Sequence, residues 1–148
     1  LEAIEMMGTA YDDGKFKPWP WVSKSKFLNH KMTIWVRGTT GNFSWTLEHA
    51  FGLCEEFNHR FGKQHKCLDY LKWIEQNIPI NNLIQGSMTS PPLCFGKFKD
   101  QIEFSENPIE CYRRYYIAAK QHLAVWTRRN PPPWFRFLPN KNEENKIL

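Results

Sequence analysis

The stretch FSWTLEHAFGLCEEFNHRFGK, from Phe43 to Lys63, decides the fold of this chain. At about 100° per residue it places Phe43, Leu47, Ala50, Cys54, Phe57 and Phe61 on one side of a single helix. Trp45, His49, Gly52, Glu56, Arg60 and Lys63 fall on the other. The first side reads as core. The second mixes an indole, an imidazole, a carboxylate and two cations around a glycine. A mid-helix glycine costs about 1 kcal/mol relative to alanine, a cost that makes sense where a ligand must approach the backbone. The competing reading is a solvated face with one Glu56/Arg60 pair at i,i+4, worth about 0.3–0.5 kcal/mol. Asn42 stands where an N-cap is wanted, and Gly62 where a left-handed C-cap is wanted.

Outward from this helix, the same periodicity predicts others. One runs over residues 1–11 and stops at Asp12, Asp13 and Gly14. Because Leu1, Ile4 and Met7 already sit at helical spacing, the chain is expected to begin inside a helix, with an N-terminal segment upstream. Lys15 to Lys26 carries Pro18, Trp19, Pro20 and Trp21 among lysines, and reads as an ordered arm or loop. A short helix is predicted over 28–37, with Met32, Trp35 and Val36 on its apolar side. Another is predicted over 63–78, burying Cys67, Leu71, Ile74 and Ile78 and ended by Pro79. Asn107, Pro108 and Glu110 mark the start of a last helix, expected to reach Arg129 with Ile109, Tyr112, Tyr116, Ala119, Leu123 and Trp126 inward. Trp134, Phe135 and Phe137 are expected to fold back onto the body. The fold class read from these signals is mainly α: a single compact multi-helix domain, residues 1–139, with long Pro- and aromatic-rich loops and a mobile tail over 140–148.

The 148 residues suffice for one hydrophobic core without metal or disulfide support. Twenty Lys and Arg against fifteen Asp and Glu give a net charge of +5, which favours a polyanionic partner. The seven Trp interleave with Arg and Lys, the composition that base stacking plus phosphate neutralisation requires, although a Trp-rich core uses the same residues. Four cysteines are too sparse and too widely spaced for a disulfide scaffold and read as reduced, so an intracellular, soluble protein is expected. The run Cys54, His59, His65, Cys67 matches no common zinc spacing, and no metal or cofactor is expected. No apolar stretch approaches the ~20 residues of a membrane span, so no membrane partner is expected either.

The string Glu56, Phe57, Asn58, His59, Arg60, Phe61, Gly62, Lys63, Gln64, His65 resembles the E(Y/F)xxR(Y/F)GKxH signature of a family of small phage and viral proteins usually labelled pyrimidine dimer DNA glycosylases. Further pieces agree in order. Asn29, His30, Trp35 and Arg37 resemble one family block, Asn42 and Trp45 its helix start, and Tyr112 to Tyr116 with Lys120 and Trp126 its last block. The chain departs from the family where His-Pro-Cys reads His30, Lys31, Met32 and where Met-Pro-Asp reads Phe95, Gly96, Lys97. The family's N-terminal Asp-Lys-His block would lie upstream of Leu1. The resemblance implies a viral or phage DNA-repair hydrolase working in the host cytoplasm.

Base excision needs a carboxylate near the glycosidic bond, an amine or activated water, cations for phosphate and a place for the displaced base. The expected catalytic residues are Glu56, as the carboxylate, with Lys63 and His65 as amine or phosphate ligand and proton-transfer group. The expected nucleic-acid or phosphate contacts are His30, Arg37, Trp45, His49, Arg60, Tyr115 and Lys120. On this reading the partner is DNA or a nucleotide. A non-catalytic DNA- or nucleotide-binding viral accessory protein is the alternative use of the same residues, and the oligomeric state is left open.

Overall fold

The computed structural model describes residues 1–11 and 28–136. The predicted arm over 15–26, the position of Phe137 and the expected tail over 140–148 lie outside the described residues. The fold is mainly helical, with no strand among the described residues, and forms two compact units, Leu1–Pro92 and Leu93–Leu148.

The first unit is built around one long helix. Helix α1 spans Glu2–Gly8, α2 Lys31–Val36, α3 Thr40–Phe61 and α4 Leu68–Gln76. Phe43, Leu47, Ala50 and Cys54 bury the predicted side of α3 against Ile4 and Met7 of α1, Trp35 and Val36 of α2, and Leu71 and Ile74 of α4. Phe43 and Ile74 are fully enclosed. Burial of side chains of this size stabilises by roughly 1.5–3 kcal/mol each, which is what holds these four helices together. The apolar stripe of α3 ends earlier than the periodicity predicts. Phe57 is half-buried and Phe61 is 56% exposed, because α3 outlasts the elements that cover it. Ile78 is likewise exposed, and the predicted 63–78 helix is the shorter α4. The residues before α4 form a link instead, in which the Cys67 N–H donates to His65 Nδ1 at 3.1 Å. Gly62 closes α3 in the left-handed conformation, φ 65°, and donates to Asn58 O at 2.7 Å, as its position foretold.

The other end of α3 corrects the sequence reading. The N-cap is Thr39, whose hydroxyl accepts from the Asn42 N–H at 3.1 Å. Asn42 is instead buried in the first turn of the helix, where its side chain ties two distant segments. Its Nδ2 donates to Trp35 O at 2.8 Å and to Thr89 Oγ1 at 3.0 Å, and its Oδ1 accepts the Thr89 N–H at 2.7 Å. Residues 84–89 cross this helix end as a strap. The Thr40 N–H donates to Ile84 O and the Gly41 N–H to Gly86 O, both at 2.9 Å, so the strap supplies acceptors for amides that a helix start leaves unsatisfied. A side chain at Gly41 would run into the backbone of Ser87 and Met88, which is why glycine stands there.

The second unit holds helix α5, Pro108–Lys120, capped by Asn107, whose Oδ1 accepts from the Ile109 N–H at 2.9 Å. The predicted cap, N1 proline and first-turn acid are all in place. The helix stops well short of Arg129, continuing only as a 3-10 turn over Gln121–Leu123, and Leu123 is exposed. A small core of Phe95, Ile102 and Cys111 lies against Tyr112 and Tyr115. Ile109 and Tyr116, predicted inward, are 59% and 52% exposed. Phe135 is buried and meets Trp126 and Trp134 edge-on at 5.6 and 5.7 Å.

Candidate functional site

The outer face of α3 carries Trp45, His49, Glu56 and Arg60, four of the ten residues singled out from the sequence, with Lys63 just past its end. Near its start, Trp45 and His49 stack in nearly parallel planes, 6° apart with centroids 5.1 Å apart, as the i,i+4 spacing on a helix permits. Trp35 of α2 braces the indole of Trp45 edge-on at 5.7 Å and 79°. Trp35 is itself buried and fixed, its Nε1–H donating to Thr89 O at 3.2 Å. The same strap residue that anchors Asn42 therefore also sets the wall behind Trp45. Partial burial holds the His49 imidazole below its ordinary pKa, so the ring is neutral at pH 7.

One turn further on, Gly52 faces open space, with no atom within 4 Å of where a Cβ would sit. Leu53 beside it is 55% exposed. Next along the face, Arg60 Nε donates to Glu56 Oε1 at 2.6 Å, both side chains about a quarter exposed. Lys63, past the C-cap, is exposed. At 1.5 Å per residue the face from Trp45 to Arg60 is about 22 Å long. The groups thus form a linear track with two stations, Trp45–His49 and Glu56–Arg60, about two turns apart.

The other expected site residues have different surroundings. His65 meets Phe57 edge-on at 4.7 Å and accepts a backbone amide through Nδ1, so it is oriented as a local cap. His30 is the N-cap of α2, its Nδ1 accepting from the Met32 N–H at 3.3 Å. Arg37 is half-buried and donates to Thr9 Oγ1 at 3.4 Å, tying α2 to the end of α1. In the second unit Tyr115 stacks on Phe95 at 5.0 Å, and Lys120 Nζ lies 5.7 Å from the Tyr115 centroid. Tyr115 is therefore a core-edge residue, while Tyr116 is the exposed tyrosine. Burial, the largest influence, raises the pKa of Tyr112, whose hydroxyl accepts from the Cys94 N–H at 3.3 Å. Burial likewise raises that of the Cys54 thiol, with Cys67 adding to it.

The sequence reading gave Trp35 to the core and had no means of finding its role as a brace, since its partner Thr89 lies 54 positions away. A cavity of about 280 Å³ at the far end of α4 is lined by Tyr11, Trp73, Asn77, Ile78, Pro79, Ile80, Asn81 and Asn82, none of them an expected site residue. Among the described residues no group of three or more His, Cys, Asp or Glu is placed to hold a metal ion. The four cysteines are free thiols. No described helix is long and apolar enough to cross a membrane. Compared with known proteins, the chain matches no family model, no curated protein and no solved structure.

Proposed function

We propose that this protein acts on DNA, as a glycosylase that excises damaged or modified pyrimidine bases, with the outer face of α3 as its contact surface. The observation that carries the reading is the alignment of Gly52, Glu56 and Arg60 on one exposed side of α3, with the carboxylate and guanidinium joined at 2.6 Å. The bare backbone at Gly52 leaves room for a sugar ring one turn from Glu56. A carboxylate there suits stabilisation of the positive charge that develops at the anomeric carbon, or activation of the attacking water. Arg60 orients that carboxylate, and Lys63 at the helix end contributes a second cation for phosphate.

Two observations favour the non-catalytic alternative, a DNA-binding accessory protein. His65 is engaged as a cap, and Lys63 has no catalytic partner beside it among the described contacts. Glu56→Gln separates the two readings. On duplexes carrying abasic, dimer or modified-base lesions, scored by strand breaks after alkali, the variant is expected to bind as before while base release falls at least a hundredfold. Release unchanged in Glu56→Gln removes the residue from the chemistry. Absence of release by the parent protein on every lesion, with binding intact, leaves the accessory reading.

A further inference from the structure

We infer that the Trp45–His49 pair is a stacking platform for an unpaired base, and that the DNA recognised by α3 is single-stranded or locally opened, not continuous duplex. The inference rests on the reading of α3 as a DNA-contacting face and names the form of DNA it takes. Three features of the structure point the same way.

The platform is prebuilt. Trp45 is 40% exposed, stacked on the exposed His49 ring and braced edge-on by Trp35, which the strap residue Thr89 fixes. A base that extends this stack meets rings already in place, so little side-chain freedom is lost on binding. The pair carries no formal charge at neutral pH, and stacking on such rings is open to any base regardless of sequence.

The charge around the platform is wrong for a duplex. Within α3 the carboxylates Glu48, Glu55 and Glu56 outnumber the single Arg60, and residues 1–92 as a whole set ten Lys and Arg against nine Asp and Glu. Duplex binding draws on neutralising many phosphates at once, and its bases are stacked on each other and closed to an external ring. This face has the aromatic surface and only two cations, Arg60 and Lys63, at one end of it. A strand whose bases are already open satisfies it.

The spacing fits a short opened run. His49 lies seven residues, about 10 Å along the axis, from Glu56, a distance that a few nucleotides span. A base held on the platform therefore leaves the sugar near Glu56 within the same short unpaired stretch.

The test uses the full chain and three fluorescein-labelled ligands of one sequence: a single-stranded decamer, its blunt duplex, and a longer duplex with a three-nucleotide bubble. Anisotropy titrations are expected to give at least tenfold tighter binding to the single strand and the bubble than to the closed duplex. Trp45→Ala is expected to weaken single-strand binding by about 5- to 150-fold, the range for losing one stacked base, and to weaken duplex binding far less. Trp45→Tyr keeps a π face and restores most of the loss, so the test survives if Trp45→Ala does not fold. The log–log salt slope for the single strand is expected to stay below about 2. Equal affinity for duplex and single strand, or an unaltered Kd in a natively melting Trp45→Ala variant, overturns the inference. Glu56-dependent release from closed duplex without any effect of Trp45 leaves the glycosylase reading standing and the platform refuted. Trp45-dependent single-strand binding without Glu56-dependent release does the reverse.

Discussion

Residues 1–92 and residues 93–148 each contain ten Lys and Arg, and use them differently. In the first unit nine acids offset those cations, and a deep core running from Ile4 through Phe43 to Ile74 carries the fold. The second unit sets its ten against six acids, and among its described residues the buried cluster is a small one, Phe95, Ile102 and Cys111. Four of those cations are enlisted in the structure. Arg113 lies over Trp134 at 5.4 Å and pairs with Glu110, Arg114 donates to the carbonyls of Glu103 and Phe104, Lys120 covers Tyr115, and Lys97 covers Phe98. Cation–π contacts of this kind contribute about 0.5–1 kcal/mol each at exposed sites. The comparison teaches that Lys120 and Tyr115, expected from sequence as nucleic-acid contacts, belong with Arg113 and Arg114 to a set of clamps over a thin core. Conversely, the near-neutral unit has the rings and the backbone opening that a ligand face needs.

The sharpest way to break this contrast is to cut both cores at matched positions. Phe43→Ala should cost about 3–5 kcal/mol in urea unfolding, since the side chain is fully enclosed by three other helices. Phe95→Ala should cost less, at or below the bottom of that range, because its small cluster can close over the gap. Equal losses would mean the second core is as constraining as the first.

Gly52→Ala gives a smaller effect of opposite sign. Nothing lies within 4 Å of the added methyl, so the helix should gain about 0.5–1 kcal/mol, read as a raised Tm. If Gly52 admits a sugar ring, the same variant loses base release while gaining stability. A stabilised variant with full release would make Gly52 an incidental residue on a wet face.

The smallest effect concerns His49. Its pKa in the folded chain lies below the ordinary value of 6.5, because partial burial disfavours the charged form. Well above pH 6.5 both states are neutral there and the residue contributes no pH dependence. As pH falls through 6.5 the unfolded chain takes the proton more readily, so stability declines. His49→Leu should flatten that part of the stability profile between pH 7 and 5. An unaltered profile would mean the imidazole is no more shielded in the fold than in the open chain.

Much of the fold was legible in the residues themselves. The inward stripe of α3 from Phe43 to Cys54, the left-handed stop at Gly62 and the Asn107–Pro108–Glu110 start of α5 were all set by local spacing, and the structure has them. One group of errors shares a cause. Phe61, Ile78, Ile109 and Tyr116 have the right period to be buried and are exposed, because among the described residues no other element covers them. The exchange of roles between Tyr115 and Tyr116 is the same effect at one residue's shift, decided by where Phe95 and Phe98 stand. In the candidate site, the i,i+4 partners Trp45–His49 and Glu56–Arg60 were readable, whereas His65, His30 and Arg37, expected beside them, have other neighbours.

The sequence by itself determined that this chain is helical, that its longest helix has two chemically distinct sides, and where that helix stops, because each depends on groups within a few residues of one another. Tertiary structure decided that Asn42 is a buried bracket and not a cap, and that Trp35 braces Trp45. Those outcomes rest on Thr89 and the strap over 84–89, more than forty positions along the chain, and no local periodicity encodes a hydrogen bond across that separation.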